Sequence, residues 1–221
     1  MKKPKKKTTR EKTTIEKLGS AIASTVAFLA PKDPDTDPHP RATDLLVHHH
    51  RQVEALLERM EKPKLDVDAT LRELADALTA HIAIEERLFY PAIRKLDPDV
   101  VLEGLEEHAM GRFALKRLLG TPAGDHSLKS RLKALKELMT NHHKEEEKDL
   151  FPKARKAMSN DALEKLGTSM KTLFDADVKR GHEAVLATFD DELRKPVRAK
   201  STPGRRSKQK KQNKAKKTAR A

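Results

Sequence analysis

Two stretches of this chain are near-duplicates, His81-Ile-Ala-Ile-Glu85-Glu86-Arg-Leu-Phe-Tyr-Pro91 and His142-His-Lys-Glu-Glu146-Glu147-Lys-Asp-Leu-Phe-Pro152. In both, a histidine is followed four residues later by a glutamate, then by a second glutamate and an aromatic-containing run that ends in proline at the same offset. On a helix, positions i and i+4 lie one above the other, so each stretch aims an imidazole and a carboxylate at one point. Nitrogen and oxygen donors presented twice point to a two-metal site. The rest of the chain reads as support for that site or as tails attached to it.

The chain has no cysteine, which excludes disulfides, thiolate zinc sites and cysteine-held iron-sulfur clusters. Any metal must therefore rest on histidine and carboxylate. The same absence fits an intracellular protein, and a cytoplasmic location is the expectation. The net charge of +13 belongs to the ends of the chain. Residues 194–221 carry 13 Lys/Arg and no acid, and residues 1–12 carry seven Lys/Arg against Glu11, which leaves residues 13–193 at −6. With 36% hydrophobic and 37% charged residues, part of the chain should remain unpacked.

Four regions follow. Residues 1–41 read as a basic arm, a short accessory amphipathic helix over Ile15–Ala30 and a linker with four prolines between 31 and 41. The apolar part of 15–30 is interrupted by Glu16 and Lys17 and is too short for a membrane span of roughly 20 residues. Residues 42–158 carry four helical patterns: A from about Thr43 to Glu61, B from about Asp68 to Lys95, C from Asp97-Pro98 to Leu119, and D from about Asp125–Ser127 past Pro152 or kinked there. Asp97 is the expected N-cap of C, with proline at the first helical position. Residues 159–193 form an accessory segment whose short helix, Ser159–Phe174, is expected at an end of the bundle. Residues 194–221 are a low-complexity basic tail. No sustained strand alternation occurs, so the expected fold is an all-α, antiparallel up-down four-helix bundle.

Helical periodicity then selects among the ten histidines. In A the stripe Leu46, Val53, Leu57, Met60 admits His50 and leaves His48 and His49 on solvated faces. In B, Leu71, Leu74 and Leu78 lead to His81 and Glu85; in C, Val101 and Leu105 lead to His108. In D, Leu128, Leu132, Leu135 and Met139 lead to His142 and Glu146, with His143 and Glu147 as the alternative register, off the stripe. Burying two unpaired carboxylates would be costly, and bound cations are the simplest compensation. Histidine with carboxylate suits iron, manganese or zinc. The repeat groups His50 with His81 and His108 with His142, and two central glutamates could bridge both ions.

The combination Asp44-Leu-Leu…His50-Arg-Gln-Val, His81…Glu85-Glu86…Phe89-Tyr90-Pro91, Glu107-His108 and His142…Glu146-Glu147…Phe151-Pro152 resembles the hemerythrin-like (HHE cation-binding) family over roughly residues 42–158. The resemblance implies two non-haem iron ions, oxo- or hydroxo-bridged, held by His50, His81, Glu85, His108, His142 and Glu146, with Glu85 and Glu146 as bridges. Oxygen-carrying members have a second histidine on the third helix where this chain has Arg112, and a histidine-to-aspartate spacing of five on the last helix. Four histidines and two glutamates bring this chain nearer to bacterial hemerythrin-like proteins and to di-iron proteins that repair nitrosative damage.

The resemblance implies a di-iron protein that binds or senses O2, NO, peroxide or iron, more a binding protein than an enzyme. A di-iron oxidoreductase, reducing peroxide or oxygen or repairing iron centres, is the alternative. Tyr90 is the redox-capable aromatic the motif offers it, against a plain packing role at a helix end. Nonspecific nucleic-acid or other polyanion binding by residues 194–221 is a third reading. Its lack of aromatics would leave electrostatics alone.

Overall fold

The computed structural model of the chain describes residues 37–62 and 66–194. The expectations for the basic arm, for Ile15–Ala30 and for the basic tail from residue 195 onward lie outside the described residues. The elements are α1 (Ala42–Arg59), α2 (Val67–Ile84), a π-turn π1 (Glu85–Phe89), α3 (Tyr90–Ile93), α4 (Pro98–Leu119), α5 (Leu128–Glu145), π2 (Glu146–Leu150), α6 (Phe151–Ala157), α7 (Asn160–Arg180) and α8 (His182–Arg194). No strand occurs among the described residues. α2, π1 and α3 form one rod, the second rod of the bundle, and α5, π2 and α6 another, the fourth rod; with α1 and α4 as first and third they make an antiparallel up-down four-helix bundle. Helix starts follow side-chain chemistry: Asp66, Asp97 and Ser159 accept from the backbone N–H three residues on, at Ala69, Val100 and Ala162.

The two motif prolines neither stop nor sharply break their rods. A proline inside a helix has no N–H to donate, and its ring crowds the carbonyl four residues back. Here the turn ahead of each proline widens by one residue: the N–H of Tyr90 donates to the Glu85 carbonyl, and that of Phe151 to the Glu146 carbonyl, each five residues back. Both π-turns begin at the motif's first glutamate. Such turns are frequent at functional sites, where they re-aim side chains.

Beside the π-turns lies a cluster of buried apolar side chains. Phe89 and Phe151 meet edge to face at 5.5 Å between centroids, among Leu45, Leu46, Ile84, Ile93 and Met170, all fully buried. This seals one side of the polar cluster that the rods carry at mid-length.

α7 differs from expectation in length and in place. It runs to Arg180, and it lies along α1 and α2 rather than over a bundle end. Its buried row Leu163, Gly167, Met170, Phe174, Asp177 steps by four and three, a single helical face. At Gly167 an added Cβ would stand 1.9 Å from the Pro40 carbonyl oxygen, so the approach to α1 passes directly over the bare backbone. Asp177 is buried but paired, accepting from Arg180 at 2.8 Å and from Arg87 at 3.4 Å. Gly181 ends the helix at φ 83°, a conformation that favours glycine. The compact unit holding the bundle ends at Leu186, and a second unit begins at Ala187. No helix among the described residues is long and apolar enough to cross a membrane.

Gly167→Ala should therefore lower stability by about 1–3 kcal/mol, the usual cost of overpacking, because backbone rather than a flexible side chain must move. Thermal denaturation reads this directly; an unchanged midpoint would mean that α7 is not seated on Pro40–Ala42 as described.

Candidate metal centre

Six side chains from four helices meet in the interior: His50 from α1, His81 and Glu85 from the second rod, His108 from α4, His142 and Glu146 from the fourth. All are between 0 and 3% exposed. The Nε2 atoms of the four histidines face the two carboxylates. His81 and His108 both lie 3.2 Å from Glu85 Oε2, while His50 and His142 lie 3.3 and 3.6 Å from Glu146 Oε2. His50, His81, Glu85 and Glu146 form one group of potential donors, and Glu85, His108 and His142 form a second, each with its atoms within 4.8 Å of one another. Glu85 is common to both groups. Glu146 belongs to the first alone.

A second layer holds these rings, and it follows the sequence repeat. Glu86, five residues after His81, pairs with His108 Nδ1 at 3.2 Å; Glu147, five after His142, pairs with His50 Nδ1 at 2.8 Å. Tyr90, nine after His81, stacks on His108 with ring centroids at 5.4 Å; Phe151, nine after His142, stacks on His50 at 5.6 Å. Each copy of the motif thus offers its leading histidine and the glutamate four residues on to the cluster. Its second glutamate and its aromatic grip a histidine on a different helix. Arg112 and Arg51 in turn bind Glu86 and Glu147. An Nδ1–H donated to a carboxylate leaves Nε2 with its lone pair directed inward, the arrangement usual behind metal-bound histidines.

The symmetry fails at two places. Tyr90 carries a hydroxyl that its counterpart Phe151 lacks, and it donates to Glu146 Oε1 at 2.8 Å. Burial and the charges of Glu146 and Glu85 push the phenol well above its ordinary pKa, so it stays a donor. Gly104 makes room for it: a Cβ there would lie 2.7 Å from the hydroxyl. The other difference is the residue before each single histidine. Glu107 accepts from His142 Nδ1 at 2.7 Å, whereas its counterpart is His49, edge-on to His81.

Two histidines stand elsewhere than the periodicity of an isolated bundle implies. His49, expected on a solvated face, is 1% exposed because α7 covers that face and Phe174 stacks on its ring at 3.8 Å. His143, expected off the buried stripe, is fully buried and lies parallel to the His50 ring at 3.9 Å. With His50 and His81 it makes a third group of potential donors. Burial holds both His49 and His143 down to about 3, so they are neutral. His48 is half-buried. Sequence reading misses the supporting positions of Glu86 and Glu107 and takes Glu147 only as an alternative donor with His143, although the doubled Glu-Glu of the repeat is a signal for Glu86 and Glu147.

Without a cation, the cluster must balance its charge with protons. Burial opposes protonation of His50 and His108, but the surrounding glutamates outweigh it, raising His50 well above the ordinary value and His108 to about 9. Burial and the neighbouring imidazoles hold His81 far below it. The Nε2 atoms of His108 and His142 stand 2.9 Å apart, which requires a proton or a cation between them. Even so, His50 Nε2, both nitrogens of His81, both oxygens of Glu85 and Glu146 Oε2 find no hydrogen-bond partner among the described residues. Donors bonded at about 2.1 Å to a common ion stand about 3.0–3.4 Å from one another. The shorter separations here match that spacing, so the residues fit bound metal cations.

Comparison with known proteins agrees with this geometry. The family described as Hemerythrin HHE cation binding domain matches residues 41–154, just over half of the chain, and takes in every clustered residue. No curated protein matches. The crystal structure of a hemerythrin HHE cation binding domain-containing protein from Mycobacterium kansasii aligns with a TM-score of 0.59 at 24% identity, covering 67% of this chain and 98% of that one. At that identity the likeness speaks to the fold.

The Gly104–Tyr90 contact makes a double-mutant cycle decisive. Gly104→Ala should destabilise the wild-type chain by about 1–3 kcal/mol and cost measurably less in a Tyr90→Phe background, where the clashing hydroxyl is gone. Equal costs in both backgrounds, read from denaturation midpoints, would remove the phenol from this position.

Proposed function

The chain belongs to the hemerythrin HHE cation-binding domain family, and on that premise we propose that the buried cluster holds two non-haem iron ions and binds or senses O2, NO, peroxide or iron itself. The observation that carries this reading is the set of buried donor atoms without hydrogen-bond partners, drawn from His50, His81, Glu85 and Glu146. A buried polar atom left unpaired costs about 1–3 kcal/mol, and a carboxylate more. Five of these atoms, His50 Nε2, His81 Nε2, both oxygens of Glu85 and Glu146 Oε2, converge on one space and are accounted for together by cations.

On this reading His50, His81 and Glu146 would hold one ion and His108 and His142 the other, with Glu85 a potential donor to either. Tyr90 reserves Oε1 of Glu146, which leaves Glu146 one free oxygen and Glu85 two. Glu85 and Glu146 both stay candidates for bridging, since Glu146 Oε2 faces His50 at 3.3 Å and His142 at 3.6 Å; the Tyr90 hydrogen bond restrains the other oxygen of Glu146. Bound ferrous ions would supply the electrons for reaction with a small oxidising ligand. The protein's own part is to orient the imidazoles through Glu86, Glu107 and Glu147, to exclude bulk water with Phe89, Phe151 and Phe174, and to keep the Tyr90 proton on its oxygen. The oxidoreductase alternative uses the same centre; peroxide turnover above that of free ferrous iron would favour it.

Elemental analysis after anaerobic ferrous reconstitution should find about two irons per chain. Glu146→Ala should empty the centre, and a content still at two would mean that the donors are registered wrongly. Glu107→Gln, which removes only the charge behind His142, should weaken iron binding about 10- to 100-fold with the helical circular-dichroism signal unchanged. No bound metal in the wild-type protein after reconstitution would overturn the reading.

A further inference from the structure

Between α4 and the fourth rod a narrow notch runs from the surface to the cluster, with a free volume of about 10 Å³. That is room for about one water. Its floor includes His142 and Glu146, 1 and 3% exposed, and Glu146 Oε2 has no hydrogen-bond partner among the described residues. Its walls include Tyr90 and Gly104, where the missing side chain leaves the opening beside the phenol. Three further glutamates line it, Glu103, Glu107 and Glu145, and no lysine or arginine does. Glu107 is bound to His142. Glu103 and Glu145 are exposed, with no ion pair among the described residues.

We propose that this notch is the passage by which divalent cations reach the buried cluster, with Glu103 and Glu145 as the capture site at its mouth. The proposal rests on the reading of the cluster as a metal centre and concerns how that centre is filled. An opening this small does not admit a cation with its full hydration shell. Carboxylate oxygens spaced along the walls can replace the lost waters one at a time, ending at Glu146 and His142. A cleft lined by one sign of charge also concentrates counter-ions and raises their arrival rate by about 10- to 1,000-fold, an effect that falls steeply with ionic strength. The same field repels anions and leaves neutral ligands unaffected, so the passage selects cations by charge. The large surface cleft lined by Arg41, Arg51 and Arg155 includes none of the six clustered residues and does not offer this route.

The test is the rate at which metal-free protein takes up ferrous iron alone under anaerobic conditions, timed by quenching with a chromophoric chelator. The double variant Glu103→Gln/Glu145→Gln should load at least about fivefold more slowly at low ionic strength, with the difference shrinking at high salt and the final iron content equal to wild type. Glu58→Gln/Glu164→Gln, the same charge change at exposed sites outside the notch, should load at the wild-type rate. Full loading at an unchanged rate in the first variant overturns the passage alone, as does equal slowing in both variants. A wild-type protein that takes up no iron overturns the metal-centre reading and the passage with it.

Discussion

Two glutamates, Glu85 and Glu146, sit at 0 and 3% exposure in the middle of a helical bundle. A carboxylate withdrawn from water must be matched by positive charge or hydrogen bonds, or it destabilises the fold by several kcal/mol. The rest of the interior is arranged around that requirement. Four imidazoles face the two carboxylates, and outer carboxylates face the backs of three of those imidazoles. Arginines at the rim, Arg51 and Arg112, close the outer ring at Glu147 and Glu86. The outer layers are satisfied by one another, whereas the innermost donor atoms of His50, His81, Glu85 and Glu146 keep no hydrogen-bond partner among the described residues. The space that remains between the innermost atoms suits cations.

The repeat explains how a chain of modest complexity builds this twice. One motif supplies a donor pair at spacing four, a supporting acid at five and a stacking aromatic at nine. The π-turn ahead of its proline starts at the donor glutamate and ends just before the aromatic. The support is exchanged between rods and single helices: Glu86 and Tyr90 serve His108, Glu147 and Phe151 serve His50. Removing either rod would therefore disturb donors on both sides of the cluster. The departures from symmetry, the Tyr90 hydroxyl over Gly104 and the exchange of Glu107 for His49, make the two halves chemically different. The acidic notch reaches His142, the ring that Glu107 backs, and Glu146 beside it.

Fold class, the four bundle helices and the inward faces were legible in the chain because each rests on local periodicity. His50, His81, Glu85, His108, His142 and Glu146 continue apolar rows at steps of three and four, and all are buried. His49 and His143 were not legible. Their burial depends on α7 and on the parallel ring of His50, neither of which is a neighbour in sequence. The position of α7 was likewise hidden. Its apolar stripe announces a buried face, but a stripe does not say against what, and the bare backbone of Gly167 under Pro40 becomes a docking slot only when the two segments meet.

The sequence by itself determined that this chain would form a helical bundle and that its paired His-x-x-x-Glu motifs would face inward, because helix pitch converts spacing into direction. Only the tertiary structure decided which acid backs which histidine, that Glu85 lies within both donor groups while Glu146 is held by Tyr90, and that an acidic notch opens onto His142 and Glu146. Those outcomes depend on distances between side chains far apart in the chain, such as Tyr90 and Glu146 or Glu107 and His142. No local period encodes such a distance; it is set when the rods pack.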